Sequence, residues 1–207
     1  MSDPKWLEWA RRLQALAQTG LHFSDDPFDR ERYEQIQALA VEMLERGSDA
    51  DAAPICDLFA GETGYATPKV DVRGAVFDQQ RILLVRETSD GLWALPGGWA
   101  DVNDTPSEAV EREIYEESGF EAKATKLLAV YDRRLHGHVP PSPRHVYKLF
   151  FLCQLVGGKA TASHETDDIG FFTEDALPNL SLGRVTESQI VRLFEHSRHP
   201  NWPTDFD

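Results

Sequence analysis

The chain has 207 residues, of which 41% are hydrophobic, and its 35 acidic against 21 basic side chains give a formal net charge of -14 at pH 7. No stretch approaches the roughly 18 consecutive apolar residues of a membrane span, and the opening MSDPKWLEWARRLQ lacks the apolar core of a secretory signal, so an unexported, cytoplasmic protein is expected. The negative balance repels nucleic-acid phosphates and disfavours a broad electrostatic nucleic-acid binder, while Cys56 and Cys153 are too few and too far apart for a disulfide framework or structural zinc.

Along the chain, residues 1–66 read as helical and separate from the remainder. Pro4 suits a first helical position behind Ser2 or Asp3. Trp6, Ala10, Leu13 and Ala17 then recur at helical spacing, with Trp9 and Leu16 widening the stripe, and Gly20 is the predicted stop. A second helix is predicted after the caps Asp26 and Asp29, with Tyr33, Ile36, Leu39, Ala40, Met43 and Leu44 on one face, ending at Gly47. Two such helices cannot bury their faces alone. They are expected to form a docking or dimerisation domain, giving a homodimer, or else to complete one monomeric core. The Ala-, Asp- and Gly-rich stretch Ser48 to Pro68 reads as linker, and a second domain is expected over 67–207.

From Val70 onward the texture turns to short β-rich runs. Residues 70–77 and 81–87 read as a hairpin around Asp78, Gln79 and Gln80. LLAVYDRRL (127–135) and HVYKLFFLCQL (145–155) read as strands joined by the proline-rich HGHVPPSPR. IGFF (169–172) comes next as a strand and TESQIVRLFEHS (186–197) as a helix with Ile190, Leu193 and Phe194 inward. Mixed strands with intervening helices imply an α/β sandwich.

Half of the net charge lies in 101–121, where eight acids face only Arg112. Thr105, Pro106 and Glu108 spell a capping box and Gly119 a left-handed C-cap, which predicts a helix over Pro106–Ser118 with Ala109, Val110 and Ile114 buried. On it Glu113, Glu116 and Glu117 stand at i, i+3 and i+4, about 5 to 6 Å apart at their β-carbons. Near the negative end of the helix dipole such clustering calls for a divalent cation. All-oxygen donors without thiolate or His favour Mg²⁺ or Mn²⁺. Arg112 is placed to orient Glu116, and Pro96, Gly97 and Gly98 form a tight loop whose bare backbone can approach a ligand or offer a carbonyl to a metal. Solvated acidic helices are common, and EREIYEE alone would be a weak signal.

The whole arrangement resembles the Nudix hydrolase signature: Gly98, Asp104, Arg112, Glu113, Ile114, Glu116, Glu117, Gly119 and Phe120 fall at its fixed positions, with Asp104 where the family usually has Glu. The resemblance spans residues 68 to about 175 and implies a Nudix α/β/α sandwich with a mixed sheet, Glu113, Glu116 and Glu117 as metal ligands, and the Gly97 carbonyl as a weaker one. The first helices, YDRRLHGH, HVYKLFFLCQL and ETDDIGFF are similar to the subgroup with a helical N-terminal domain that hydrolyses nucleoside diphosphates linked to a second moiety X, such as bacterial CDP-choline pyrophosphatases.

The chemistry so implied is hydrolysis of a diphosphate to a nucleoside monophosphate and phospho-X, with divalent cations screening phosphate oxygens and acidifying water. Lys123, Lys126, Arg133, Arg134, Arg144 and Lys148 face a single acid, Asp132. Of this basic arm Arg133, Arg134, Arg144 or Lys148 can grip the distal phosphate, although any one of them also reads as a solvated strand-face charge. By family placement the general base is Glu165 on a late loop, with a helix glutamate such as Glu116 as the alternative. His136, His138 and His145 flank the proline-rich loop as further contacts to substrate. Trp99, Tyr131 and Tyr147 are candidates to stack on a base, against an ordinary core role. ADP-ribose or RNA ends are the alternative substrates. A non-catalytic nucleotide-binding regulator is a further class, opposed by the intact Arg112, Glu113, Glu116, Glu117 core.

Overall fold

The computed structural model describes residues 3–47 and 62–207; Ser2, Cys56 and residues 48–61 of the expected linker lie outside them. The chain divides into two compact units, Met1–Pro68 with Pro141–His145, and Lys69–Pro140 with Val146–Asp207.

The first unit pairs helices α1 (Lys5–Phe23) and α2 (Pro27–Gly47). Helix α1 runs through Gly20 instead of stopping there. A Cβ at that position would lie 2.4 Å from the Tyr33 ring, so the glycine serves close helix packing and not a cap. Asp26 starts α2, its Oδ1 accepting the backbone N–H groups of Phe28 and Asp29 at 2.9 and 3.0 Å, and Asp29 falls in the first turn. Leu7, Ala10 and Leu44 form a small core with Trp6 and Met43 against it. Trp9 and Leu16 do not widen the inner stripe. About 200° around the helix from the inward Leu7 lies Trp9, and it is exposed together with Leu16 and Phe23, a line repeating every seven residues. Gln14 and Gln18 take the inner positions, and Leu39 of α2 is also exposed.

The second unit is a mixed sheet between helices. Its elements are β1 (Lys69–Asp78), β2 (Arg81–Glu87), β3 (Trp93–Ala94), α3 (Pro106–Ser118), β4 (Phe120–Asp132), a 3-10 turn (Arg133–Leu135), β5 (Val146–Gly158), β6 (Thr166–Phe172), α4 (Glu187–Arg198) and β7 (Asp205–Phe206). Strand order is β3-β2-β1-β5-β4-β7, with β6 on β2. Strands β1 and β5 are parallel, as are β4 and β7; the other pairs are antiparallel. The hairpin turns on Gln79 and Gln80, both at positive φ, which matches the twist of a two-residue connection.

Strand β4 starts seven residues before the predicted run, because Gly119 in the left-handed region (φ 71°) turns helix directly into strand. Register shifts along Glu121–Ala129 then break the two-residue alternation by which a strand is read. Its predicted end becomes the 3-10 turn, where the Asp132 carboxylate accepts the Arg134 N–H at 3.0 Å. Strand alternation gives the sheet two apolar faces. On one, Val72, Val76, Leu83 and Phe151 pack under Ala109, Val110 and Ile114 of α3. On the other, Ala75, Ile82, Leu84, Leu128 and Phe150 pack under Ile190, Leu193 and Phe194 of α4. Gly74 lets α3 settle closely, since a Cβ there would meet Ile114 at 2.6 Å.

Candidate active site

Helix α3 is specified at both ends. The Thr105 hydroxyl accepts the Glu108 N–H, the Glu108 side chain accepts from the Thr105 backbone, and the Gly119 N–H closes on the Tyr115 carbonyl. The loop before it is laced to β1: Val72 and Gly74 donate to the Gly98 and Pro96 carbonyls at 2.8 and 2.9 Å. Gly97, at φ 141°, passes so near β1 that a Cβ would lie 2.0 Å from the Val72 carbonyl oxygen. At Gly98 a Cβ would meet the Glu113 carboxylate at 2.8 Å. The two glycines therefore let backbone approach the helix carboxylates, and the Gly97 N–H donates to Glu117 Oε2 at 2.8 Å.

These groups line a cleft of about 680 Å³, with Gly97, Gly98 and Trp99 from the loop after β3, Arg112, Glu113, Glu116 and Glu117 from α3, and Ser163, His164 and Glu165 from the loop before β6. Arg112 bridges Glu113 (3.0 Å) and Glu116 (2.9 Å) through Nη1, and its Nε donates to Asp104 at 3.2 Å, so the shorter Asp104 still reaches its arginine. Glu117 is buried. Its carboxyl is pushed up to about 8 by that burial, helped by the nearby Glu87 and Glu113 charges and opposed by Arg73 and the Gly97 N–H. Burial likewise raises Glu113. Glu165 is exposed, with its Oε1 3.2 Å from His164 Nε2, while the neighbouring Thr166 hydroxyl donates to the Glu117 carbonyl at 2.5 Å and ties this loop to α3.

Three residues that sequence reading missed complete the cleft: Arg73 from β1, Glu87 from β2 and Arg184 from the loop before α4. Arg73 is buried, donating from Nε and Nη2 to the two Asp71 oxygens at 3.0 and 2.9 Å and from Nη1 to the Leu95 carbonyl at 3.0 Å. Burial favours the neutral form of Asp71, yet Arg73 and Lys148 hold its carboxyl down at about 2.

The basic arm is not where the sequence reading put it. Lys148 is buried, with its ammonium 2.6 Å from Asp71 Oδ1. Arg133 is buried and donates to the Gly183 and Pro140 carbonyls, and Arg134 forks onto Asp132. None of these three lines the cleft. The parallel register sets Lys148 opposite Asp71, so a strand that reads as basic turns this charge inward. His145 and Arg144 belong to the first compact unit. His138 is buried on the Leu182 carbonyl, His136 reaches Asp207, and Tyr131 is a core residue bonded to Asp205.

Residues 67–194 match the family described as the NUDIX domain. The chain belongs to the Nudix family. As a Nudix hydrolase it is a pyrophosphohydrolase acting on phosphoric anhydride bonds, in an α/β/α fold preceded by a helical domain. Residues 4–59 match the UDP-X-like, N-terminal oligomerisation domain. The chain is 50% identical over 203 residues to YjhB of Bacillus subtilis (strain 168), named as an ADP-ribose pyrophosphatase, covering 98% of this chain and 97% of that one. Among solved structures, a UDP-X diphosphatase is 37% identical with a TM-score of 0.64, covering all of both chains. An ADP-ribose pyrophosphatase from Streptococcus suis 89-1591 is 43% identical with a TM-score of 0.63, covering 68% of this chain and 100% of that one.

Nudix hydrolases use divalent metal ions, and the donors here fit one in kind. They are hard carboxylate oxygens, two of them on groups whose ionisation burial opposes. Among the described residues, however, no three acidic, His or Cys side chains stand ready as a ligand set. Arg112 holds Glu113 and Glu116, and Gly97 holds Glu117. No helix among the described residues is long and apolar enough to cross a membrane.

Proposed function

We propose that this Nudix hydrolase splits the diphosphate bond of a nucleoside diphosphate linked to a moiety X, giving a nucleoside monophosphate and phospho-X, with Mg²⁺ as the ion and Mn²⁺ as its substitute. One observation carries the reading: the three box glutamates, from one helix, meet the Gly97–Gly98 backbone in a single cleft. Glu113, Glu116 and Glu117 would hold the ion, with the Gly97 carbonyl in support, and Arg112 bridges Glu113 and Glu116. A bound divalent ion supplies charge for the phosphate oxygens and lowers the pKa of water. Glu165, exposed and among the residues that line the cleft, is the general base of this reading and accepts the proton of the attacking water. Arg133 and Lys148 spend their donors inside the fold, so their part is to support the sheet beneath the site. Arg134 forks onto Asp132 and does not line the cleft, and His145 belongs to the other compact unit, so the reading rests on neither.

The activities for which the relatives are named favour ADP-ribose and UDP-linked compounds over CDP-choline. A hydrolysis panel of ADP-ribose, UDP-sugars, CDP-choline and capped RNA with Mg²⁺, read by ³¹P NMR, tests this. Two phosphomonoesters from ADP-ribose or a UDP-linked compound are expected. Turnover of capped RNA alone contradicts the reading.

We also propose a boundary near residue 66, with the N-terminal helices joining two copies through Trp9, Leu16 and Phe23. The family described as an oligomerisation domain and the exposed heptad line support this. Light scattering should give twice the 23.4 kDa chain mass, and a monomer for Trp9→Glu with Leu16→Glu; a monomeric parent sinks it.

A further inference from the structure

The geometry points to Arg184 as the residue that grips a substrate phosphate, with Glu87 as the placeholder that aims it until the anion arrives. This rests on the reading of the cleft as the hydrolytic site. A diphosphate entering a cleft walled by carboxylates needs fixed positive charge besides the metal, and three arginines line it: Arg73, Arg112 and Arg184. Arg73 is buried and committed to Asp71 and the Leu95 carbonyl through all three nitrogens. Arg112 is committed to Asp104, Glu113 and Glu116 beside it on or before α3.

Arg184 is as exposed as Arg112 and differs from it in its partners, none of which is a glutamate of α3. Its side chain is 31% exposed, and its Nε lies 2.9 Å from Glu87 Oε1. Its Nη1 donates to the Ser181 hydroxyl at 3.0 Å and to Asp90 at 3.1 Å, and its Nη2 to the Ser89 hydroxyl at 3.0 Å. The backbone under it is pinned, because Arg184 and Val185 both donate to the Ser181 carbonyl, at 2.8 and 2.9 Å, and Ser181 donates to the Trp93 carbonyl of β3 at 2.8 Å. Val185 is fully buried. The guanidinium is thus a planar fork held at the cleft wall by the side-chain oxygens of Glu87, Ser89, Asp90 and Ser181. A phosphate presents paired anionic oxygens to the same fork, with more charge than either carboxylate. Glu87 is itself buried. When substrate arrives the fork transfers from carboxylate to phosphate without a move of the backbone.

The test uses the full chain with Mg²⁺ and two probes: ADP-ribose for steady-state kinetics and adenosine 5′-(α,β-methylene)diphosphate for calorimetric binding. Arg184→Gln is expected to raise KM and weaken the analogue roughly 10- to 100-fold, as for loss of a charged hydrogen bond. Arg184→Lys should recover part of both. In each variant kcat should stay within about threefold and thermal unfolding close to that of the parent. Unchanged KM and analogue affinity in both variants, or losses that simply track a lowered unfolding temperature, make Arg184 a strut of the Ser89–Asp90 loop and overturn the proposal. Glu117→Gln is run alongside. If that variant stays active, the cleft reading fails; if it is dead while the Arg184 variants keep their affinity, only the present inference fails.

Discussion

Glu117→Gln is expected to lower kcat by at least roughly 100-fold, more than loss of an outer-shell partner of a metal site costs, while the protein stays folded. The side chain is buried, and Gln keeps an oxygen to accept the Gly97 N–H. The same substitution leaves a signature in the metal-free protein. Glu117 has its folded pKa raised from 4.5 to about 8, so the folded state keeps a proton that the unfolded chain releases. Stability is therefore greatest below about 4.5 and falls as pH rises to about 8, by an amount on the order of a few kcal/mol. Urea midpoints measured in chelator at pH 5 and pH 8.5 should show the parent losing more stability than Glu117→Gln. Equal losses contradict the burial argument, and near-normal kcat contradicts the role of the side chain.

Gly97→Ala is expected to cost the most in structure. The new methyl would be driven to 2.0 Å from a backbone oxygen, which cannot swing aside, and φ 141° is strained for any L side chain. The expected loss is on the order of 3 kcal/mol or more, with the cleft wall displaced and turnover lost. Gly98→Ala is the contrast, since its methyl meets only the mobile end of Glu113. It should unfold close to the parent yet lose activity by turning a cleft carboxylate. Equal unfolding midpoints for parent and Gly97→Ala would contradict the close approach to β1.

The acidic helix was legible because its instructions are local: cap, first-turn proline, C-cap glycine, and three carboxylates within one turn. The dispersal of its charge was not legible. Of the eight acids, Glu108 is spent on the cap, Glu111 on Lys123 and the Ala124 N–H, and Asp101 and Asp104 on Arg112. Less of the cluster is open to a cation than its net charge suggests. Arg73, Glu87 and Arg184 were missed because each looks like an ordinary strand or loop charge until β1, β2 and the loop before α4 meet. The basic arm misled for a related reason: the register that pairs Lys148 with Asp71 joins residues 77 apart in sequence. Bulges in β4 and the two-residue strands β3 and β7 carry too little periodicity to be read. Gly20 shows the same limit, since a cap and a packing glycine are the same letter.

The central claim is that a divalent cation binds among the glutamates of α3. Electron paramagnetic resonance of Mn²⁺ titrated into the substrate-free protein measures this directly. Binding by the parent is expected, weakened at least tenfold in Glu113→Gln and in Glu117→Gln with the fold intact. Mn²⁺ affinity unchanged in both variants would contradict it.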